Sequence, residues 1–340
     1  MATILGIEST AHTFGVGIVR DGKILANKRD MYTTEEGGII PTESAKHHRE
    51  VGEKIYFDAL EEAKIKEEEI DAVSFSQGPG LPPCLLAGRD FSRDLALRLN
   101  VPLVPVNHCV AHLEIGRITG AKDPILLYCS GANTQVIAYA SGKYRIFGET
   151  LDVGVGNFID NFARYAGLGF PGGPKIEKLA KEGKEYIELP YKVKGMDIAL
   201  SGILTNLRQK LEKRYKIEDL AYSMQETVFP MLIETAERAI AHVQKNELLL
   251  GGGVACNSRL QEMSKIMSEE RGVKFFVPER SLLVDNGAMI AYLGEIIYLS
   301  ESSKMSCSTK NGVVVWGKKG IEEIDIKPRQ RTDEVNVTWK

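Results

Sequence analysis

His108 and His112 stand four residues apart in the run His108-Cys109-Val110-Ala111-His112. On a helix that spacing puts both imidazoles on one face, roughly 6 Å apart, a distance that one metal ion bridges. A zinc peptidase of the H-E-x-x-H kind needs a glutamate directly after the first histidine as general base. Cys109 occupies that position, which disfavours a simple metalloprotease. The pair by itself is equally compatible with ordinary core or surface histidines. Asp285, in Val284-Asp285-Asn286-Gly287-Ala288, puts a carboxylate at the start of an expected helix. There it serves either as an N-cap or as a third metal ligand, and position alone favours the cap.

Glycine-rich turns are the second signal. They are Gln77-Gly78-Pro79-Gly80, Ser130-Gly131-Ala132-Asn133, the run Gly169 to Pro174, and Gly251-Gly252-Gly253. Glycine lets backbone approach a ligand, and turn N–H groups cradle phosphate. No G-x-x-x-x-G-K-[ST] occurs and no G-x-G-x-x-G follows a strand, so neither a P-loop nor a dinucleotide fold is indicated. Asp160 and Glu177 lie in or beside expected helices, where solvated surface charge is their ordinary role.

The elements that position these residues follow from hydrophobic period. Strands are expected at residues 4–8, 14–20 and 24–28, with Asp21-Gly22 as a tight turn. A helix at 43–63, a strand at 72–76, a helix at 85–99, a strand at 103–106 and a helix at 108–118 follow. The pattern then restarts with strands at 125–129, 134–140 and 144–147. Helices at 157–166, 175–181, 199–214 and 220–244, a strand at 248–250, a helix at 256–271, a strand at 274–277 and a helix at 286–299 complete it. Three hairpin-connected strands and then alternating helix and strand thus occur twice, with starts near Ser9 and Ser130. That duplication predicts two similar α/β lobes with a cleft between them. The expected division is 1–123, 124–300 and an extension at 301–340. Residues 304–331 of that extension carry seven Lys/Arg against three acids and read as a solvated, partly mobile segment.

At 340 residues the chain exceeds one ordinary core, which agrees with two domains. Its five cysteines form no C-x-x-C pair, and an odd count suits a reducing compartment, so a cytoplasmic location is expected. The opening lacks a basic, apolar signal segment, and no run of 18 apolar residues is present, so no membrane association is expected. A net charge of −3 argues against bulk polyanion binding but leaves local patches open.

Seven separated motifs in one order make the chain resemble a known family. They include Gly6-Ile7-Glu8-Ser9-Thr10-Ala11-His12, Gly78-Pro79-Gly80, Asn107 through His112, Tyr128 through Gln135, Gly169 through Pro174, Gly251 through Asn257 and Asp285 through Met289. The family is that of the archaeal and eukaryotic tRNA threonylcarbamoyladenosine transferases, the catalytic subunits of the KEOPS complex, once described as O-sialoglycoprotein endopeptidases. The resemblance covers residues 5–292 and resumes at Arg331-Thr332-Asp333-Glu334-Val335. It implies two duplicated ribonuclease H-like lobes of the actin, heat-shock and sugar kinase ATPase superfamily.

The resemblance further implies that His108, His112 and Asp285 hold one divalent metal, iron with zinc as the alternative, and that Tyr128 joins them. It places an adenine nucleotide, ATP or threonylcarbamoyl-AMP, between the lobes. Tyr128, Cys129, Ser130, Gly131 and Ala132 would line its phosphate side. Asp160, Gly173, Glu177 and Asn257 would hold its ribose and adenine end. The family turn is more often Ser-Gly-Gly, so Ala132 needs an allowed φ. Glu8 and His12, near the first hairpin turn, are the candidates for a proton-accepting group. Transfer to N6 of the tRNA adenosine 3′ of the anticodon is the implied reaction. The implied partners are tRNA, a small kinase subunit and other KEOPS subunits, with no requirement for DNA. A basic stretch at 208–216, five basic residues against one acid, and the extension are the two candidate tRNA surfaces. The rival of the same fold is an ATP-dependent small-molecule kinase, for which the histidine pair would be idle.

Overall fold

The computed structural model describes residues 2–34, 38–302, 314–315 and 317–340. Cys307 lies outside them; Cys84, Cys109, Cys129 and Cys256 are all free thiols. By internal contacts the chain divides into one unit of Met1–Tyr32, Ile39–Ile118 and Asp285–Lys340, and a second of Thr33–Gly38 and Thr119–Val284.

In the first unit, β1 (Thr3–Glu8), β2 (Thr13–Arg20) and β3 (Lys23–Met31) form an antiparallel meander. Helix α1 (Pro41–Ala63) leads to β4 (Ala72–Gly78), then α2 (Pro82–Leu99), β5 (Leu103–Asn107) and the short α3 (His108–Glu114). Proline in the first turn starts both long helices, and Lys64 and Asn100 end them in the left-handed region. The sheet order is β3-β2-β1-β4-β5, with β4 and β5 parallel to β1.

The second unit repeats this order. It contains β6 (Ile125–Cys129), β7 (Thr134–Ala140), β8 (Lys143–Glu149), α4 (Val155–Tyr165), α5 (Gly173–Ala180) and a small hairpin, β9 (Val193–Lys194) with β10 (Asp197–Ile198). Helices α6 (Ser201–Glu212) and α7 (Ile217–Val243) follow, then β11 (Glu247–Gly251), α8 (Ser258–Arg271), β12 (Lys274–Phe276) and α9 (Arg280–Leu283). Its sheet runs β12-β11-β6-β7-β8, which read from the other edge is the same order as the first. The duplication expected from the sequence is therefore a duplication of topology. The turn between β1 and β2 corresponds to the turn between β6 and β7.

Helix α10 (Gly287–Ser302) and the short α11 (Lys318–Glu323) return to the first unit. Glycines bring α10 against the sheet at backbone distance. A Cβ on Gly6 would stand 2.2 Å from Ala291 N, and one on Gly17 2.1 Å from Ala288 N. By contacts the chain divides between Ile118 and Thr119 and between Val284 and Asp285, beside the expected divisions at 123/124 and 300/301. Helix α10 packs on β1 and β2, so the described residues from Asp285 onward group with the first unit. The described part of the extension also departs from a solvated, mobile reading. Val315 pairs with Leu103, Ile321 is buried, and residues beyond it are hydrogen-bonded to the body of the unit. No helix among the described residues is long and apolar enough to cross a membrane.

Candidate functional site

Strand β5 ends in Asn107, whose side-chain oxygen accepts from Val110 N at 3.0 Å and so caps α3. The cap starts the helix at His108, and one turn later comes His112; both are buried. Their rings lie 4.8 Å apart in a T-shaped arrangement. Asp285 approaches from the other end of the chain. The capping role open to it is taken by Asn286, whose oxygen accepts from Met289 N at 2.9 Å. Asp285 is left to face the histidines, with Oδ1 at 3.4 Å from both His108 Nε2 and His112 Nε2.

These separations are long for firm hydrogen bonds. The three candidate ligand atoms lie within 4.8 Å of one another, so they converge on a common point that a metal ion could occupy. Two imidazole nitrogens and a carboxylate oxygen form a donor set that first-row divalent metals accept. Behind them, Glu8 Oε2 accepts from His108 Nδ1 at 2.9 Å, which turns Nε2 toward Asp285. Glu8 Oε1 accepts from Thr10 N at 2.7 Å and from Thr10 Oγ1 at 2.5 Å. Glu8 is fully buried, so both oxygens of the expected proton acceptor are engaged in holding neighbours. Thr10, which also touches His108 Nδ1 at 3.4 Å, was not singled out in the sequence; only its place two residues after Glu8 could have suggested it. His12 sits at the same hairpin turn, half-buried, its carbonyl accepting from Tyr32 N.

Charge and burial compete here. Burial lowers the His108 pKa, but Glu8 and Asp285 outweigh it and hold the group well above its ordinary value. Burial and the neighbouring His108 keep His112 below its ordinary value. Burial would raise Asp285, but the two imidazoles hold it well below the usual carboxylate range. The result is an anionic, partly exposed carboxylate facing two buried imidazoles.

The second unit gathers the other expected residues. Tyr128 and Cys129, both buried, end β6. The loop from Ser130 to Asn133 closes on itself through Ser130 N and Asn133 O at 3.0 Å. Its carbonyls at Ser130 and Gly131 accept from Gly156 N and Asn157 N, so the loop is joined to the start of α4. Gly154 makes this possible, since a Cβ there would stand 2.4 Å from Gly131 O. Ala132 is not among the residues with positive φ, so alanine fits the turn without strain.

Asp160, on α4, accepts from Gly172 N at 2.7 Å, and Gly173 begins α5 with open space where a Cβ would be. Glu177, on α5, accepts from Ser258 N at 3.1 Å and Ser258 Oγ at 2.6 Å. Asn257 caps α8 by accepting from Arg259 N and Leu260 N, and its amide donates to Gln225 Oε1 at 2.6 Å. Asp160 with Gly172, and Glu177 with Ser258 beside Asn257, thus form two linked contacts. Gln225, a buried residue of α7, is a further member that its helical surroundings in the sequence conceal.

Comparison with known proteins gives the family. A family model described as tRNA N6-adenosine threonylcarbamoyltransferase, TsaD, matches residues 23–292. Proteins of that name from Thermococcus sibiricus and Thermococcus kodakarensis are each 54% identical over 336 residues, covering 98% of this chain and 99% of theirs. A relative from Methanothermobacter thermautotrophicus named as a probable bifunctional tRNA threonylcarbamoyladenosine biosynthesis protein is 50% identical, and the chain spans 60% of its length. Among solved structures, HypF of T. kodakarensis matches 88% of this chain and 48% of its own, with TM-score 0.62 and 15% identity. The activator of 2-hydroxyisocaproyl-CoA dehydratase from Clostridium difficile, solved with ADPNP, matches 91% of this chain and 99% of its own, with TM-score 0.55 and 12% identity. The two structures share its two-sheet α/β fold. The chain belongs to the TsaD family of tRNA N6-adenosine threonylcarbamoyltransferases, a family of acyltransferases.

Proposed function

We propose that this protein transfers the threonylcarbamoyl group of threonylcarbamoyl-AMP to N6 of the adenosine 3′ of the anticodon in tRNAs reading ANN codons, as the catalytic subunit of a cytoplasmic KEOPS complex. The observation that carries the reading is the convergence of His108, His112 and Asp285 in a chain 54% identical to transferases of that name. The amine nitrogen attacks the carbamoyl carbon, a C–N bond forms, the C–O bond to AMP breaks, and the amine loses a proton. A weak nucleophile of this kind depends on orientation.

His108, His112 and Asp285 would hold the metal, iron or alternatively zinc, which would supply Lewis-acid stabilisation of charge on donor oxygens. Glu8 orients His108; with both its oxygens engaged it is assigned to positioning, and His12 is the remaining candidate for accepting the amine proton. In the second unit the Ser130–Ala132 turn would meet the phosphate, and Asp160, Gly173, Glu177 and Asn257 the ribose and adenine. A small kinase subunit is the proposed partner, in keeping with the bifunctional names of relatives longer than this chain.

The test is transfer from threonylcarbamoyl-AMP to unmodified tRNA with the partner subunits present, read by mass spectrometry of the nucleosides. Modified adenosine supports the reading. No transfer, together with ATP-dependent phosphorylation of a small molecule, would move the assignment to a kinase of the same fold.

A further inference from the structure

The stretch 325–340 lies on the first unit and touches the supports of the metal-ligand helix at several separate points. Lys327 N donates to Gln77 O at 2.8 Å, and Gln77 Nε2 donates to Asp325 O at 2.7 Å. Gly80 N donates to Pro328 O at 3.1 Å. Further along, Gln330 Oε1 accepts from the amide of Asn107 at 3.1 Å, the residue that caps α3. The buried Thr332 side chain lies beside the Cys109 thiol, in the first turn of α3. Lys340 Nζ pairs with Glu114 Oε1 at 3.4 Å, the buried carboxylate at the far end of α3, which Arg117 also meets. Ser300 Oγ donates to Thr338 O at 2.8 Å, tying the same stretch to α10, the helix that follows Asp285.

The Gly78-Pro79-Gly80 motif finds a role in the same arrangement. A Cβ on Gly78 would stand 1.9 Å from Lys327 O, and one on Gly80 2.6 Å from Thr10 O. The two glycines let one loop lie between the 325–340 stretch and Thr10. Thr10 in turn contacts Glu8 and His108. The stretch therefore bears on His108 from two directions, through the loop, Thr10 and Glu8, and through the cap and first turn of α3.

We propose that residues 325–340 are a strap that sets the geometry of the metal site, with Gln330, Thr332 and Lys340 as positioning residues. The helix they hold has only seven residues, and so short a helix depends on its tertiary contacts to keep its place. Partners behind metal ligands commonly govern affinity tenfold to a hundredfold. The inference rests on reading His108, His112 and Asp285 as metal ligands.

The experiment is a Co(II) titration of the metal-free full chain, followed by absorption in the visible region, for the unaltered protein and for Gln330→Ala, Thr332→Val and Lys340→Met. Thermal unfolding of the metal-free forms runs alongside. Loss of roughly tenfold or more in Co(II) affinity with altered visible bands, unfolding unchanged, and recovery in Thr332→Ser and Lys340→Arg is the expected result. Gly78→Ala, which displaces the strap without touching α3, should reproduce the loss. Unchanged affinity and spectrum in all four variants would overturn the strap, as would losses that merely follow lowered melting or that the conservative variants do not rescue. If the unaltered protein binds no Co(II), the metal reading itself fails, and that outcome is separate because it precedes any variant.

Discussion

Glu8 Oε2 accepts a hydrogen bond from His108 Nδ1 at 2.9 Å in a fully buried contact, across a hundred residues of sequence. A carboxylate behind a ligating imidazole fixes its tautomer and raises its basicity. Glu8→Ala should therefore weaken metal binding by roughly ten- to a hundredfold. Glu8→Gln, which retains an oxygen for Nδ1–H but no charge, should fall between. Isothermal titration of the metal-free protein checks this, and equal affinity in all three forms would remove Glu8 from the metal's surroundings.

Gly17 on β2 supports the same site from a distance. Its missing side chain admits Ala288 at backbone contact, one residue into the helix that follows Asp285. Gly17→Ala has no flexible neighbour to displace, so it should cost about 3 kcal/mol, the upper end of ordinary overpacking. For a unit of this size that lowers Tm by roughly 6–12 °C. Metal affinity should fall with it, because α10 must shift. Gly22→Ala is the control: the position has positive φ but nothing within 4 Å, so strain alone should cost about 1 kcal/mol and leave metal binding intact. Scanning calorimetry and metal titration on both variants separate the two effects.

Much of this was legible in the sequence. The period of hydrophobicity placed most strands and helices, and the repeat of three strands before alternating elements marked the duplicated sheets. The four-residue spacing of the histidine pair placed both imidazoles on one helix face, but by itself left ordinary core or surface roles equally open. Asp285 was ambiguous, since a helix start suits either a cap or a ligand; in the structure Asn286 makes the cap. Glu8 was named as a candidate proton acceptor, but its contact with His108 was not legible, because it depends on β1 lying beside β4 and β4 beside β5. The 325–340 stretch was least legible. Its charges suggest solvent, whereas its attachments run through backbone groups and a few polar side chains that leave no periodic trace.

His48 gives the fold a dependence on pH apart from the metal ligands. It is buried on α1, with Nε2–H donating to Ala11 O at 3.1 Å and its ring 5.6 Å from Phe14. Burial, with help from His47, lowers its pKa from 6.5 to about 4. The folded-state value is depressed, so its contribution is fully present above 6.5 and is lost as pH falls toward 4. Between about pH 7 and about pH 5 this should remove about 2 kcal/mol, because the unfolded chain takes up the proton first. Denaturant unfolding across that interval should show a shallower pH slope in His48→Gln. An unchanged slope would assign the dependence to other groups.

Asn257 tests the second unit, where one side chain serves two purposes. Its oxygen caps α8 and its amide satisfies the buried Gln225. Asn257→Ala removes both, costing about 1 kcal/mol for the cap and a further 1–3 kcal/mol, approximately, for the stranded amide oxygen. Asn257→Ser keeps an oxygen at the cap and should recover the first term only. If Asn257 also meets the adenylate, affinity for ATP should fall in both variants by more than their stability predicts. Nucleotide titrations at a temperature where both variants remain folded make the comparison direct. Equal affinity in the two variants and the parent would confine Asn257 to holding α8 against α7.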